Sequence, residues 1–392
     1  MRDVVIIGAA RTPVGSFQGA LSEVPATRLG SIAIEAALAR AGVAPNEVDQ
    51  CIMGCVLPAS LGQAPARQAA LGAGLPKGTD CLTINKVCGS GLKSVMLAFD
   101  AVRLGEAEVI VAGGMESMTR APYALDQARG GFRMGDGKIV DLMIKDGLWD
   151  VYNNFHMGFA ADMCAEKYGI TREMQDAFAI ESFTRAQRAQ KEGLFKEEIV
   201  PVTVPQKKGD PIVVSEDEGP PRAKMDKIPK LPPAFKKDGG TVTAANASSI
   251  NDGGAAVVVA SAEFAKKKGI QPLAKIVAHS SASREPEWFT IAPADAVKKL
   301  LDKTGVSADQ IDLFEINEAF AVVTIYANNT FKLDPAKVNV KGGAVAIGHP
   351  IGASGARIFV TLLYAMKQRN AKRGLATLCI GGGEAVAVMV ER

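Results

Sequence analysis

The sequence predicts an α/β fold built from two similar halves, and three observations carry that prediction. Short apolar runs of strand length alternate with helical periodicity through most of the 392 residues. Gly42-Val43-Ala44-Pro45-Asn46-Glu47-Val48-Asp49 is echoed by Gly305-Val306-Ser307-Ala308-Asp309-Gln310-Ile311-Asp312, each ahead of an apolar strand. A strand closing in Ala112-Gly113-Gly114 is matched by one closing in Cys379-Ile380-Gly381-Gly382-Gly383. Strands so continuously apolar are expected in a mostly parallel sheet covered on both faces.

Taken in order, Val4 to Gly8 reads as a buried strand and Thr27 to Ala41 as a helix that Gly42 stops. Val48 to Val56 is a second strand, Gln63 to Gly72 a helix, and Leu82 to Asn85 a third strand. Behind Cys88-Gly89-Ser90-Gly91, Leu92, Val95, Met96, Phe99 and Val102 fall at helical spacing. Glu108 to Ala112 is a fourth strand. From Ser117 to about Gly240 the rhythm breaks, leaving one amphipathic helix, Arg172 to Lys191, and a short strand at Pro201 to Val204. So long an insertion serves as a lid, a binding loop or an oligomer arm. Ala255 to Val259 returns to buried-strand style. The second half supplies a helix from Ala319 to Asn328, a strand near Val338, a glycine-rich corner, a helix from Ser354 and the strand ending at Cys379. Duplicated halves commonly place a site where their strand ends converge.

At 47% hydrophobic and 22% charged residues the composition is that of a soluble globular chain. A net charge of +3 gives no support for nucleic acid or membrane as a main partner. No apolar run approaches membrane-spanning length. Met1-Arg2-Asp3 leads straight into a strand, and the six cysteines are scattered, so a reducing compartment, the cytoplasm, is expected. Cys51 and Cys55 lack the second pair or nearby histidine that a zinc site needs, and no metal is expected. No Gly-x-Gly-x-x-Gly follows the first strand and no Walker lysine motif is present, which disfavours nicotinamide and ATP chemistry.

Four places could do chemistry. Cys88 sits at a strand-to-helix corner, where a helix N-terminus favours a thiolate; the alternative is a small buried hydrophobe. His349, in Gly348-His349-Pro350, holds nearly the same place in the second half and could take the thiol's proton, giving a thiolate–imidazolium pair; otherwise it is a satisfied loop histidine. Cys379 precedes three glycines whose bare backbone could serve an oxyanion, and it is itself a possible base or a core residue. Asn317 either caps the following helix or holds a water or carbonyl oxygen, with Glu318 assisting the helix or holding a polar neighbour. The Tyr152-to-Gly158 stretch, with His156, could reach the cleft from the insertion.

Over essentially its full length the chain resembles the thiolase family. The matching segments are Arg11-Thr12-Pro13-Val14-Gly15, Asn85-Lys86-Val87-Cys88-Gly89-Ser90-Gly91, Gly113-Gly114-Met115-Glu116-Ser117-Met118, Asn246-Ala247-Ser248, Asn317-Glu318-Ala319-Phe320, Gly348-His349-Pro350 and Cys379-Ile380-Gly381-Gly382-Gly383. Each is weak alone; in this order they are specific. The resemblance implies two duplicated α/β core domains in five layers, α-β-α-β-α, with an inserted loop domain. It divides the chain into residues 1–118 with 241–269, the insertion 119–240, and 270–392.

The resemblance also implies the chemistry. Coenzyme A and its thioesters are substrates and products, and no cofactor is required. Cys88 carries the acyl group, His349 activates it and Cys379 moves the α-proton. Asn317, through a water and with His349, forms one oxyanion hole; the N–H groups of Cys88 and Gly381 form the other. His156, Met157, Arg222, Ser248 and Phe320 are the implied coenzyme A contacts. Asn154-Phe155-His156-Met157-Gly158 resembles the short-chain subgroup, and Phe289 walls the acyl pocket, which points to acetyl-CoA C-acetyltransferase activity. The alternatives are a broad-chain 3-ketoacyl-CoA thiolase and a non-catalytic acyl-CoA-binding protein. Ala385 stands where relatives often carry glycine, a change that could alter the turn. Pro220 replaces the tyrosine of the potassium-binding subgroup, which argues against potassium activation. Arg120 to Asp141 resembles the tetramer-forming loop, so a homotetramer is expected, with a dimer as the alternative. Gly89-Ser90-Gly91 is expected to let the backbone crowd close to a thioester.

Overall fold

The computed structural model describes residues 1–392. The first half runs β1 (Val4–Arg11), α1 (Ala26–Ala41), β2 (Gln50–Gly54), α2 (Pro65–Gly72), β3 (Asp80–Ile84), α3 (Ser90–Leu104) and β4 (Val109–Ser117). Residues 119–240 add no strand to the main sheet. They hold α4 (Met157–Tyr168), α5 (Arg172–Lys191) and small hairpins such as Val202–Val204 with Ile212–Val214. β5 (Asn251–Ser261) then returns to the sheet. The second half runs β6 (Ala274–Ser283), α6 (Ala292–Thr304), β7 (Leu313–Ile316), α7 (Ala321–Phe331), α8 (Ile351–Arg369), β8 (Arg373–Ile380) and β9 (Glu384–Glu391).

Strand order is β7-β8-β9-β6-β1-β5-β4-β2-β3. The two halves join edge to edge only where Val5 and Ile6 of β1 meet Lys275 and Ala274 of β6. The sheet is mixed rather than mostly parallel. β2 is parallel to β3 and β4, and β7 to β8, but β5 and β9 run antiparallel to both of their neighbours. Burial on both faces gives either orientation the same continuous apolar sequence, so periodicity cannot separate them.

Alternate residues of each strand face different layers. Val5, Ile7, Val109 and Val111 pack with α1 and α2. Ile6, Ile110, Val257, Val386 and Val388 pack with α3 and α8 between the two half-sheets. Ala385, Ala387 and Met389 face α6 and α7. The result is five layers, α-β-α-β-α, with α3 and α8 as the central one. Each fully buried Val, Ile, Leu or Phe contributes about 1.5–3 kcal/mol.

Two further expectations change. β4 does not stop at Ala112 but runs through Gly113 and Gly114 to Ser117. The strand near Val338 is reduced to an isolated bridge with Phe314. Asn339 adopts φ +47° there, and its carboxamide replaces the ladder, accepting from the Ile316 N–H at 2.8 Å and donating to the Ile316 carbonyl at 2.8 Å.

The central helices approach unusually closely. A β-carbon on Gly91 of α3 would sit 2.6 Å from the Ala356 nitrogen of α8, and one on Gly355 would overlap the Leu92 nitrogen. Glycine in Gly89-Ser90-Gly91 therefore serves helix–helix contact. We expect Gly355→Val to destabilise the fold by about 1–3 kcal/mol through overpacking, seen as a lowered thermal unfolding midpoint; an unchanged midpoint would refute this account.

Candidate active site

Cys88 and His349 each stand two residues ahead of a central helix, α3 and α8 respectively. The duplication thus puts them at equivalent corners, and because α3 packs on α8, both open onto one cavity of about 260 Å³. The first corner is tight. Val87 has φ +45°, a strained value for a β-branched residue. Ser90 holds the turn, its hydroxyl donating to the Val87 carbonyl at 2.7 Å and accepting from the Lys86 N–H at 2.8 Å. In this turn the backbone N–H groups of Gly381 and of Cys88 itself lie near enough to the Cys88 sulfur to favour its thiolate.

The second corner is pinned from three sides. The Asn251 side chain, at the start of β5, accepts from the His349 N–H at 2.9 Å and donates to the Gly15 carbonyl at 2.9 Å. Glu116 of β4 accepts from the Gly352 N–H at 2.9 Å and from the Val56 and Leu57 N–H groups. His349 Nδ1 lies 2.5 Å from the Ser354 hydroxyl, which donates to the Pro350 carbonyl. With that hydroxyl's proton engaged, Nδ1–H is the donor. Nε2 is then left as a bare acceptor, buried and without a protein partner.

Charge is costly here. Burial pushes the Cys88 thiol up to about 11, outweighing the two N–H donors. Burial, with the nearby Arg357 charge adding to it, pulls His349 down to about 3. Burial therefore biases the resting couple toward thiol and neutral imidazole, with Cys88 itself half-buried at the cavity wall. Cys379, at the end of β8, is fully buried and does not line the cavity. Burial first, and Cys88 second, raise its thiol well above the ordinary range, which places the two sulfurs within electrostatic reach of each other.

Asn317 does not cap α7; that position belongs to Phe320. Both polar atoms of its side chain are buried without a protein partner, which suits a group that holds a water or a carbonyl oxygen. Glu318 holds polar neighbours, accepting from Ser182 Oγ, Asn339 Nδ2 and the Val345 N–H. His156, Met157, Ser248, Phe320, Phe289 and Gly381 all line the cavity. His156 accepts the Gly158 N–H on Nδ1 at 3.1 Å, stacks on Phe235, and so has Nε2–H free to donate. A bridge between Ala247 and Phe320 ties the Ser248 wall to α7. Arg222 is not among the lining residues; it is exposed and paired with Glu218 at 2.7 Å. Ala385 leaves the glycine turn intact, since it is an ordinary β9 residue paired with Cys379. No three His, Cys, Asp or Glu side chains gather as a metal site.

The family model of the thiolase N-terminal domain matches residues 4–263, and that of the thiolase C-terminal domain matches residues 270–392. The chain belongs to the thiolase family. It is 56% identical over 393 residues to the acetyl-CoA acetyltransferase of Cupriavidus necator, covering the whole of both chains. It is 54% identical to acetyl-CoA acetyltransferase 2 of Arabidopsis thaliana, covering all of this chain and 97% of that one. A thiolase from Ascaris suum, solved in complex with coenzyme A, superimposes with a TM-score of 0.95 at 43% identity over all of both chains.

The residues that position this thiolase's corners, Asn251, Glu116 and Ser354, were not among the sequence candidates. Glu116 left a signal in the segment Gly113 to Met118, and Ser354 one in its place a helical turn behind Pro350; Asn251 left none. Because the Cys88 thiol titrates near 11, its thiolate fraction should grow about tenfold per pH unit from about pH 7 to 9. Iodoacetamide labelling of Cys88 should accelerate by that factor; a plateau before pH 9 would show that the thiol is not raised.

Proposed function

We infer that this thiolase is an acetyl-CoA C-acetyltransferase, joining two acetyl-CoA into acetoacetyl-CoA and free coenzyme A through an acetyl-Cys88 intermediate. The observation that carries the reading is one cavity holding Cys88 under two N–H donors and the bare Nε2 of His349. Cys88 attacks the first thioester while His349 takes its proton. The tetrahedral oxyanion is met by the N–H groups of Cys88 and Gly381. The leaving coenzyme A thiolate takes the proton of Cys379, which remains as a thiolate opposite an imidazolium. Its raised pKa makes that thiolate a strong base. It removes the α-proton of the second acetyl-CoA, whose enolate oxygen is stabilised by a water on Asn317 and His349. The carbon attacks acetyl-Cys88, and the departing Cys88 thiolate recovers its proton from His349. Every step reverses, so thiolysis uses the same groups.

Coenzyme A enters along His156, Met157, Ser248 and Phe320, with Arg222 offered to the nucleotide end from outside the cavity. The same reading keeps the domain division at 1–118 with 241–269, 119–240, and 270–392. It includes a homotetramer, supported by Tyr123, Leu125, Phe132, Met134 and Ile139, which stand exposed on the Arg120-to-Asp141 loop. It also includes a cytoplasmic location, supported by six cysteines that are all unpaired.

Cys88→Ser should abolish nearly all cleavage of acetoacetyl-CoA. Cys379→Ala should still accept an acetyl group on Cys88, visible by mass spectrometry, yet fail to condense. A Cys379→Ala enzyme that condenses normally would remove Cys379 from the reaction. Phe289, Phe320 and Phe235 wall the acyl end, so acetoacetyl-CoA should be cleaved at least about tenfold more efficiently than a long 3-ketoacyl-CoA, a discrimination worth about 1.4 kcal/mol. Equal kcat/KM values would instead establish the broad-chain enzyme.

A further inference from the structure

Arg357 is the least explained charge in the molecule. It lies on α8, three residues past Ser354, and so on the helix face that holds His349. It is fully buried, yet Nε, Nη1 and Nη2 all lack a hydrogen-bond partner in the protein. No carboxylate lies within ion-pairing distance of it. Glu198 and Asp217 are already committed, Glu198 to Arg11 and Lys341, and Asp217 to Arg11. A guanidinium left so would be prohibitively unstable, because buried donors are nearly always satisfied by protein or ordered water.

The unpartnered atoms around it form a set. α8 packs against β7. At the end of that strand Glu315 and Asn317, two residues apart, share a face. Glu315 Oε1, Asn317 Oδ1 and Nδ2, and His349 Nε2 are each buried without a protein partner. Arg357 lies within electrostatic reach of both ends of the set, depressing His349 and opposing the rise of Glu315. For Asn317 to offer an N–H to the catalytic water, its carbonyl oxygen must be held by a donor. On α8, which packs against β7, the guanidinium is the buried cation whose donors are all unspent.

We propose that Arg357 is a positioning residue for enolate formation: through ordered water it anchors the carbonyl oxygen of Asn317, so that the amide N–H faces the cavity, and the same water links its remaining donors to Glu315. Asn317 cannot make this arrangement alone, since no protein group holds either end of its amide. Arg357 touches neither substrate nor the reacting sulfurs; it serves the enolate step through Asn317, and His349 stays neutral without it because burial is the larger cause of its depression. The inference rests on the acetyltransfer reading above, in which the Asn317 water serves the enolate and not the acetylation of Cys88.

The two half-reactions separate the possibilities. In Arg357→Met, acetylation of Cys88 by acetyl-CoA should stay within about twofold of the unaltered enzyme. Solvent deuterium exchange into the acetyl methyl group, and condensation, should fall about 10- to 100-fold, in kcat rather than KM. Equal loss of both half-reactions would mark Arg357 as merely structural and overturn the proposal, as would no loss in either. Should Arg357→Met fail to fold, Arg357→Met/Glu315→Met removes both buried polar groups and must show the same selective loss. Failure of the unaltered enzyme to acetylate Cys88 would refute the acetyltransfer reading itself, a separate outcome.

Discussion

The structure depends on two buried helices touching through bare backbone. α3 and α8 form the central layer, and their glycines let them approach until Gly91 abuts the Ala356 nitrogen and Gly355 abuts the Leu92 nitrogen. Any β-carbon at those positions would force the helices apart. Each helix is entered through a corner, and the corners carry Cys88 and His349. The distance across the reacting pair is therefore set by packing in the core. The surrounding strands reinforce it: Asn251 and Glu116, from the first half-sheet, hold the start of α8 in the second half.

That central location has an electrostatic consequence. Groups taken out of water resist charge, so the thiols of Cys88 and Cys379 rise and the imidazole of His349 falls. Burial thus favours the neutral forms of all three groups in the resting site. A base created in such surroundings is stronger than one in water. The same isolation explains why so many polar atoms around β7 and the α8 corner have no protein partner: they face positions that substrate or ordered water must fill.

Much of this was legible in the chain. The echo of Gly42-to-Asp49 in Gly305-to-Asp312 announced two halves, and the strand and helix bodies fall within a few residues of their predicted places. His156 and Phe289 line the cavity as the motif suggested. Direction of strand pairing was not legible, because β5 and β9 are as apolar as their parallel neighbours. Nor was the loss of the Val338 strand, where a side-chain amide takes over backbone hydrogen bonds. Nor was the place of Arg222 legible: it lies outside the cavity lining and pairs with Glu218, which its motif position did not show.

The sequence by itself determined the family and the duplicated α/β plan, and it named the candidate reacting side chains. These are written in local order, as periodicity, turns and short motifs. Only the tertiary structure decided the charge state of those side chains, since burial is a property of the assembled layers. It alone decided which groups hold them, because Asn251 and Glu116 reach the start of α8 from strands far away in the chain.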